Sequence, residues 1–372
     1  GRSPSRSPAE GETTCAVTAG NTSKLLEGTV LTPGKVYVGG QVAVNAAGII
    51  QCVGCDCEAM ATGATRITCA NGVISPGLIN MHDHIGFTQN APFNNTGERY
   101  EHRHEWRRGL RGHTRIPAAG GATADHVRWG ELRFVMGGAT ATISEGGQTG
   151  FLRNLDSNQQ EGLGKPAVQS ETFPLDDSTP VFQDGTCNYG DSPDTAASIS
   201  REAYISHVGE GVDVQTRNEF LCASSATFDT TAPGTSQDLA VAQAGFVHST
   251  GLRADDYSIM ARDGTALIWS PRSNICLYGN TAQVTAAHRL GVLIALGTDW
   301  TPTGSVNMLR ELRCVDELNT TYYNRTFSDE DMWRMVTYNA AVSMNRDDVL
   351  GVLATGRQAD IAIFNGATRT QF

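Results

Sequence analysis

The chain has 372 residues, 40% of them hydrophobic, enough to bury one large domain with an appendage or two domains. Its formal net charge is −11, from 28 Lys plus Arg against 39 Asp plus Glu. That balance argues against nucleic acid or an anionic membrane as partner, because binding phosphate needs a positive field. No apolar run reaches the roughly 20 residues of a membrane-spanning helix.

Residues 1–14 are rich in Ser, Pro, Gly, Arg and Glu and read as a disordered leader without the apolar core of a signal peptide. A signal was either removed or never there. From 15 to 74 the chain reads as short β segments, such as Gly28-Thr29-Val30-Leu31 and Gln41-Val42-Ala43-Val44, broken by Pro and Gly. This stretch is too small for a sizeable core of its own and is expected to pair with another part of the chain. Nine cysteines are present, and Cys52, Cys55, Cys57 and Cys69 crowd together within it. Cys52 and Cys55 have zinc-knot spacing, but no second such pair follows. Disulfides in an oxidising compartment are the better reading, which points to a periplasmic or extracellular protein; otherwise the chain is cytoplasmic.

The chemistry begins at Ser75-Pro76-Gly77-Leu78-Ile79-Asn80-Met81-His82-Asp83-His84. An apolar run after Pro-Gly reads as a strand, and side chains two apart on a strand share a face. His82 and His84 can then hold one metal ion. On a helix the pair would stand about 200° apart and could not. Beyond this point strand-like runs alternate with helical patterns. Helical spacing is read over 127–136, 213–223, 282–290, 305–319 and 328–340, and strands near 139–143, 166–169, 202–207, 244–248, 265–270 and 291–297. This alternation over 75–353 predicts parallel βα units and fits a (β/α)8 TIM barrel. A doubly wound sheet would often follow its first strand with a glycine-rich phosphate loop, where this chain has His-Asp-His. Residues 98–112 and 176–194 are long connections, candidates for walls over the active face. One more β run, Ala359-Asp360-Ile361-Ala362-Ile363-Phe364, is expected to join the N-terminal sheet.

His82, His84, His207 and His248 all end strand-like runs, and in a barrel those ends converge on one face. His102 and His104 repeat the His-x-His spacing inside a charged run, where a helix would turn them to opposite sides, so they read as wall residues. His113, His126 and His288 read as surface or helix histidines. Asp299 follows Leu293-Ile294-Ala295-Leu296-Gly297-Thr298, and an acid there is costly unless it is paired or bound to a metal. Glu210 follows His207 by three, placed to move protons beside a metal-bound water.

Together, Pro76 through His84, His207-Val208-Gly209-Glu210-Gly211, His248, Ser270-Pro271-Arg272-Ser273-Asn274, Gly297-Thr298-Asp299 and Ala354-Thr355-Gly356-Arg357-Gln358-Ala359-Asp360 resemble the amidohydrolase superfamily in that order. They look most like its cytosine-deaminase and chlorohydrolase branch. The resemblance implies a barrel over 75–353 and a small β-sandwich built from 15–74 plus 354–372, whose C-terminal part looks truncated. It implies one divalent metal, zinc or else iron, on His82, His84, His207 and Asp299, with His248 either a further ligand or the group that orients water. It also implies Glu210, His248 and Asp299 as catalytic residues of a hydrolase that attacks an sp2 carbon of a small heterocyclic or amide substrate at a non-peptide C–N bond, as deaminases do. Cleavage of a cyclic or linear amide is the alternative, and a barrel-type binding protein without turnover is a further one. Other members bridge two metals with a carbamylated lysine. Lys165, the only lysine in the barrel region, precedes its strand and is badly placed for this; Glu171, at the strand's end, is the alternative bridge. Arg99, Tyr100, Trp106, Arg272, Trp300 and Ser305 are candidate substrate contacts from flanking loops, and arginines there would suit an acidic substrate. The expected partner is a small-molecule substrate, with a homo-oligomer as an option.

Overall fold

A computed structural model describes residues 14–94 and 96–366. Most of the expected leader therefore lies outside the described residues, as do residues 367–372. The N-terminal strands are β1 (Ala16–Thr18), β2 (Asn21–Thr32), β3 (Lys35–Val44), β4 (Ile50–Gly54) and β5 (Ala64–Pro76). They form one sheet in the order β1-β5-β2-β3-β4. The expected return of the chain end is present: β14 (Ile361–Asn365) pairs antiparallel with β5, Ile363 opposite Ile74. The apolar face of the sheet gathers Val30, Val42, Ile50 and Ile74 into a small core closed by Leu353. Two disulfides staple this region, Cys15–Cys69 and Cys52–Cys57, while Cys55 is free and exposed.

After Pro76 come β6 (Leu78–Asn80), α1 (Arg103–Arg108), α2 (Ala124–Met136), β7 (Ala139–Thr142), β8 (Arg153–Asn154), β9 (Gln169–Glu171) and β10 (Tyr204–Val208). Then follow α3 (Val214–Ala223), β11 (Ala244–His248), α4 (Ala254–Asp263), β12 (Ala266–Trp269), α5 (Pro271–Tyr278), α6 (Val284–Leu290) and β13 (Ile294–Leu296). The series ends with α7 (Met308–Thr321), α8 (Asp329–Met335) and α9 (Tyr338–Ser343), so the single helix expected over 328–340 is two. All pairing from β6 to β13 is parallel, in a three-stranded sheet β6-β7-β8 and a five-stranded sheet β9-β10-β11-β12-β13.

The closed eight-stranded ladder expected from the sequence is not formed by this pairing. At the two seams only isolated backbone hydrogen bonds span the gap, Val168 N to Leu155 O (2.8 Å) at one, and Met81 N to Leu296 O (3.0 Å) with Asp299 N to His82 O (3.0 Å) at the other. At the β8–β9 seam the reason lies in the stretch from β7 to β10. It has no helix among the described residues, and its glycines and prolines, such as Gly146, Gly147, Pro166 and Pro180, interrupt strand and helix alike. The alternation of side chains is nevertheless that of a barrel. Ile79, Ala141, Ile205, Val247, Ile268 and Ala295 share one buried cluster. Their strand neighbours Leu78, Tyr204, Phe246, Leu267 and Ile294 pack into a second cluster with Val127, Phe134, Phe220 and Met260 of the helices. Successive strand residues facing two different cores is what a helix-wrapped parallel sheet requires.

Candidate functional site

The C-terminal ends of the parallel strands bring His82, His84, His207, His248 and Asp299 to one place. The ring centroids of His82 lie 4.7 Å from His84, 4.6 Å from His207 and 5.5 Å from His248. Asp299 Oδ1 stands 3.4 Å from His82 Nε2 and 4.0 Å from His84 Nε2. Donor atoms of His82, His84 and Asp299 fall within 4.8 Å of one another, as do those of His82, His207 and His248. Close approach of the first and last strands requires Gly297, since a Cβ there would sit 2.5 Å from that of His82. Behind them Asn80 and Thr298 tie the two strands together, Asn80 Nδ2 donating to Thr298 Oγ1 (2.7 Å) and Thr298 N to Asn80 Oδ1 (3.0 Å).

Three of the strand tips turn through left-handed backbone at non-glycine residues: Glu145 (φ 57°), His248 (φ 67°) and Asp299 (φ 57°). That conformation is costly without glycine and is retained where the surroundings fix it, commonly at functional sites.

The hydrogen bonds on the far side of each imidazole sort the histidines. His84 Nδ1 faces the Glu145 carboxylate at 3.1 Å, and His207 Nδ1 faces the Glu171 carbonyl at 3.3 Å. Both acceptors place the ring proton on Nδ1 and leave the Nε2 lone pair toward the centre. His82 Nε2 is buried and makes no hydrogen bond. His248 is set the other way. Trp269 Nε1 can only donate, and it donates to Thr281 Oγ1 (2.7 Å), so the Thr281 hydroxyl donates onward to Asn274 Oδ1 (3.2 Å). Asn274 Nδ2 therefore points at His248 Nδ1 (2.9 Å) as donor, and neutral His248 carries its proton on Nε2, toward Glu210 Oε2 at 3.9 Å.

The ionisation of the cluster divides His84 from His82 and His207. Burial, reinforced by the neighbouring imidazoles, holds His207 well below its ordinary range, and burial lowers His82. Burial also presses on His84, but Glu145 outweighs it and lifts that ring to about 9. Burial opposes the Asp299 charge too, yet the imidazoles around it, His82 nearest among them, hold its carboxyl well below the usual range. Buried His82 and His207, held neutral beside an ionised Asp299, with His84 oriented by Glu145 and able to give up its second proton to a cation, suit zinc or ferrous iron, so the residues present fit a divalent metal.

Glu210 stands at the rim of this cluster. Its Oε1 accepts from the Tyr278 hydroxyl (2.8 Å), which accepts from Trp106 Nε1 (2.8 Å). Its turn is held from outside by Arg103, whose backbone N donates to Glu210 O (3.2 Å). The Arg103 side chain binds Asp177 (2.7 Å) and Glu219, and Glu219 accepts from Gly209 N (2.9 Å). A cavity of about 370 Å3 opens over the cluster, lined by His84, His207, Glu210, His248, Asp299, Trp106 and Trp300 among others.

Of the six residues expected to contact substrate, Trp106 and Trp300 line this cavity, their rings 5.0 Å apart. Tyr100 is buried beneath it, donating to Thr114 O (2.8 Å) and packing with Leu277 and Trp300. Ser305 is buried, Arg272 is exposed at the start of α5, Arg99 lies against Glu98 O (2.8 Å), and none of these lines the cavity. His102 and His104 are not walls. His102 caps α1 from outside the helix, accepting from His104 N (3.2 Å), so the two rings meet at 4.7 Å instead of parting, and both are buried. Lys165 pairs with Asp348, away from the cluster, and the Glu171 carboxylate turns back to Phe173 N (2.9 Å). Glu145, Asn274 and Tyr278 were not singled out from the sequence. Glu145 had a usable signal, an acid just past a strand, as at Asp299. Asn274 and Tyr278 stand four apart on α5 and so share one face.

Residues 205–372 match the pattern of the Amidohydrolase family. The chain is 24% identical over 367 residues to a 5-methylthioadenosine/S-adenosylhomocysteine deaminase of Symbiobacterium thermophilum, covering 89% of this chain and 81% of that protein. It is 29% identical over 121 residues to the Clostridium tetani protein of the same name, a match spanning 32% of this chain and only 28% of that relative. Among solved structures, atrazine chlorohydrolase from Arthrobacter aurescens complexed with zinc superposes with a TM-score of 0.63 at 16% identity, over 92% of this chain and 87% of that one. An adenosine deaminase from Xanthomonas campestris with bound zinc gives 0.60 at 18%, over 92% and 84%. These likenesses assign the barrel-type α/β fold.

Proposed function

We propose that the chain belongs to the amidohydrolase superfamily, as its match over residues 205–372 supports, and that it is a metal-dependent hydrolase of non-peptide C–N bonds, deaminase-like in its chemistry. The observation that carries this reading is the buried, unpartnered His82 Nε2 at the meeting point of Nε2 atoms and Asp299, with Glu210 held beside it. One zinc or ferrous ion on His82, His84, His207 and Asp299 would supply the Lewis acidity that makes water a nucleophile at neutral pH. Asp299 accepts a hydrogen bond from the attacking water. Glu210 takes its proton and hands it to the departing nitrogen, and Tyr278 holds Oε1 so that Oε2 does the carrying. His248, its Nε2–H fixed by the chain from Trp269, serves as a donor to water or substrate and not as a ligand. The two tryptophans and the apolar wall suit a planar heterocycle.

The same reading takes residues 75–353 as one barrel and 15–74 with 354–372 as a small β-sandwich domain, supported by the two-sided strand packing and the β14–β5 pairing. Three disulfides, including Cys187–Cys222, support a periplasmic or extracellular location.

The test is metal analysis of the purified protein with ammonia release from a panel of amino-heterocycles. About one zinc or iron per chain and ammonia from at least one compound are expected. A metal-free protein with undiminished turnover, or a Glu210→Gln variant as fast as the parent, rules the mechanism out. Cleavage of an amide panel without ammonia release from the heterocycles would assign the amide-hydrolase alternative.

A further inference from the structure

The cavity is divided by charge. Its floor carries Glu145, Glu210 and Asp299 among imidazoles, while its outer wall carries Arg103, Arg107, Arg108 and Arg115. Along this segment the arginines fall into two groups. Arg103 is buried against Asp177 and Glu219, and Arg111 binds Asp213 (2.7 Å) and Glu105 (3.3 Å). Arg107, Arg108 and Arg115 have no carboxylate partner among the described residues. Among the described residues the close contacts of Arg107 are with uncharged groups. Its guanidinium lies 4.2 Å from the centre of the Phe173 ring, reaches His104 Nδ1 (2.8 Å) and donates to Ser178 O (3.4 Å). Arg108 and Arg115 are exposed at the mouth.

In a chain with a net charge of −11, three cations left without acids on one wall of one cavity form a local positive field set against the rest of the molecule. Guanidinium groups present paired N–H donors that match a carboxylate or phosphate, and one stacked on an aromatic ring loses little freedom on binding. The floor is the reverse, a place where an anionic group would meet three carboxylates.

We propose that this wall is a binding subsite for an anionic group, a carboxylate or a phosphate, on the end of the substrate remote from the scissile C–N bond. The proposal rests on the hydrolase reading of the floor, since it is the floor that orients the substrate. The planar part then lies between Trp106 and Trp300, and the anion lies against Arg107 with Arg108 and Arg115 closing over it.

The experiment uses zinc-loaded full-length protein and matched compounds that differ by one anion: adenosine with adenosine 5′-monophosphate, and benzamide with 4-carboxybenzamide. Binding is measured by calorimetry and ammonia release separately. The anionic member of at least one pair is expected to bind at least about tenfold tighter, the span of one charge-assisted hydrogen bond. The ratio should fall toward one in Arg107→Gln and in Arg108→Gln with Arg115→Gln, and should shrink with added salt. The exposed double variant keeps the test valid if Arg107→Gln does not fold, and a ratio is insensitive to a general loss of active protein. Which pair responds separates phosphate from carboxylate. Equal affinity within both pairs, no binding of either anion, or a preference that survives the arginine variants overturns the subsite. A preference lost in the variants with no ammonia from any compound leaves the subsite standing and counts against the hydrolase reading instead.

Discussion

Two His-x-His pairs stand 20 residues apart, His82 with His84 and His102 with His104, and they do opposite things. His82 and His84 follow β6, their rings 4.7 Å apart, facing His207, His248 and Asp299. His102 and His104 also approach to 4.7 Å, but around a helix start: His102 caps α1, and His104 lies 3.1 Å from Asp177 and 2.8 Å from Arg107. Burial, spacing and ring distance are alike. What differs is what surrounds them. Around the first pair, Glu145 stands behind His84 and three further side chains, His207, His248 and Asp299, face the same centre; around the second, Arg103 already binds Asp177 and Glu219. A histidine pair becomes a candidate metal site when its outward nitrogens are engaged and its inward ones are not.

The largest expected effect comes from breaking the open pair. His82→Asn or His84→Asn should lose metal outright, since even outer-shell changes cost 10–100-fold in affinity, roughly, and activity should go with it. Elemental analysis of the folded variant decides this, and full metal occupancy in both would remove the pair from the site. Next is Glu210→Gln, which should retain metal yet lower kcat by about 10²–10⁴, the usual contribution of a positioned acid–base group. Single-turnover kinetics on the metal-replete variant give the number.

The closed cluster should fail differently. Arg103 is buried between Asp177 and Glu219, so Arg103→Met leaves two buried carboxylates uncompensated and should cost about 3–5 kcal/mol of stability. The loss should appear in denaturant unfolding, while the metal bound per folded chain stays unchanged. A variant that instead sheds its metal at full stability would show that the two clusters are one functional unit. A smaller effect is expected from Thr281→Val, which breaks the donor chain behind His248. It should lower kcat by about tenfold, the worth of one hydrogen bond to a reacting group, and leave metal content and KM near the parent values.

How much of this was legible in the sequence depended on whether the signal was local. His82, His84, His207, His248 and Asp299 each end an apolar run, and the run itself announces the strand tip, so their convergence could be read. The terminal sheet was readable for the same reason, because Ile361–Asn365 is a β-prone run with nothing local to pair with. The failures were positional. Arg99 and Arg272 were chosen because they flank the motifs, yet the cavity is faced by Arg107, Arg108 and Arg115, whose direction depends on where a six-residue helix begins. Spacing cannot show that His102 is the cap and not the first turn. The donor chain Trp269–Thr281–Asn274–His248 joins two strands and a helix through contacts that no periodicity records. The weak strand β8 was lost in glycine- and proline-rich sequence, which is also why the ladder between it and β9 is incomplete.

The smallest expected effect is the sharpest test of the opening contrast. If His102 is a cap, its chemistry is one acceptor for the His104 N–H, and asparagine supplies such an acceptor at helix starts. His102→Asn should therefore keep the capping bond and lose only ring packing against Phe182, 4.7 Å away, at a cost of about 1–2 kcal/mol. Metal content and kcat should not move. The identical change at His82 removes an inward nitrogen for which asparagine is a poor substitute. Two His→Asn substitutions at equally buried sites with equal spacing should thus differ in kind, one shifting only the unfolding midpoint and the other emptying the metal centre. Loss of metal in His102→Asn would mean that the cap reaches the centre through α1 and the Glu210 turn it holds.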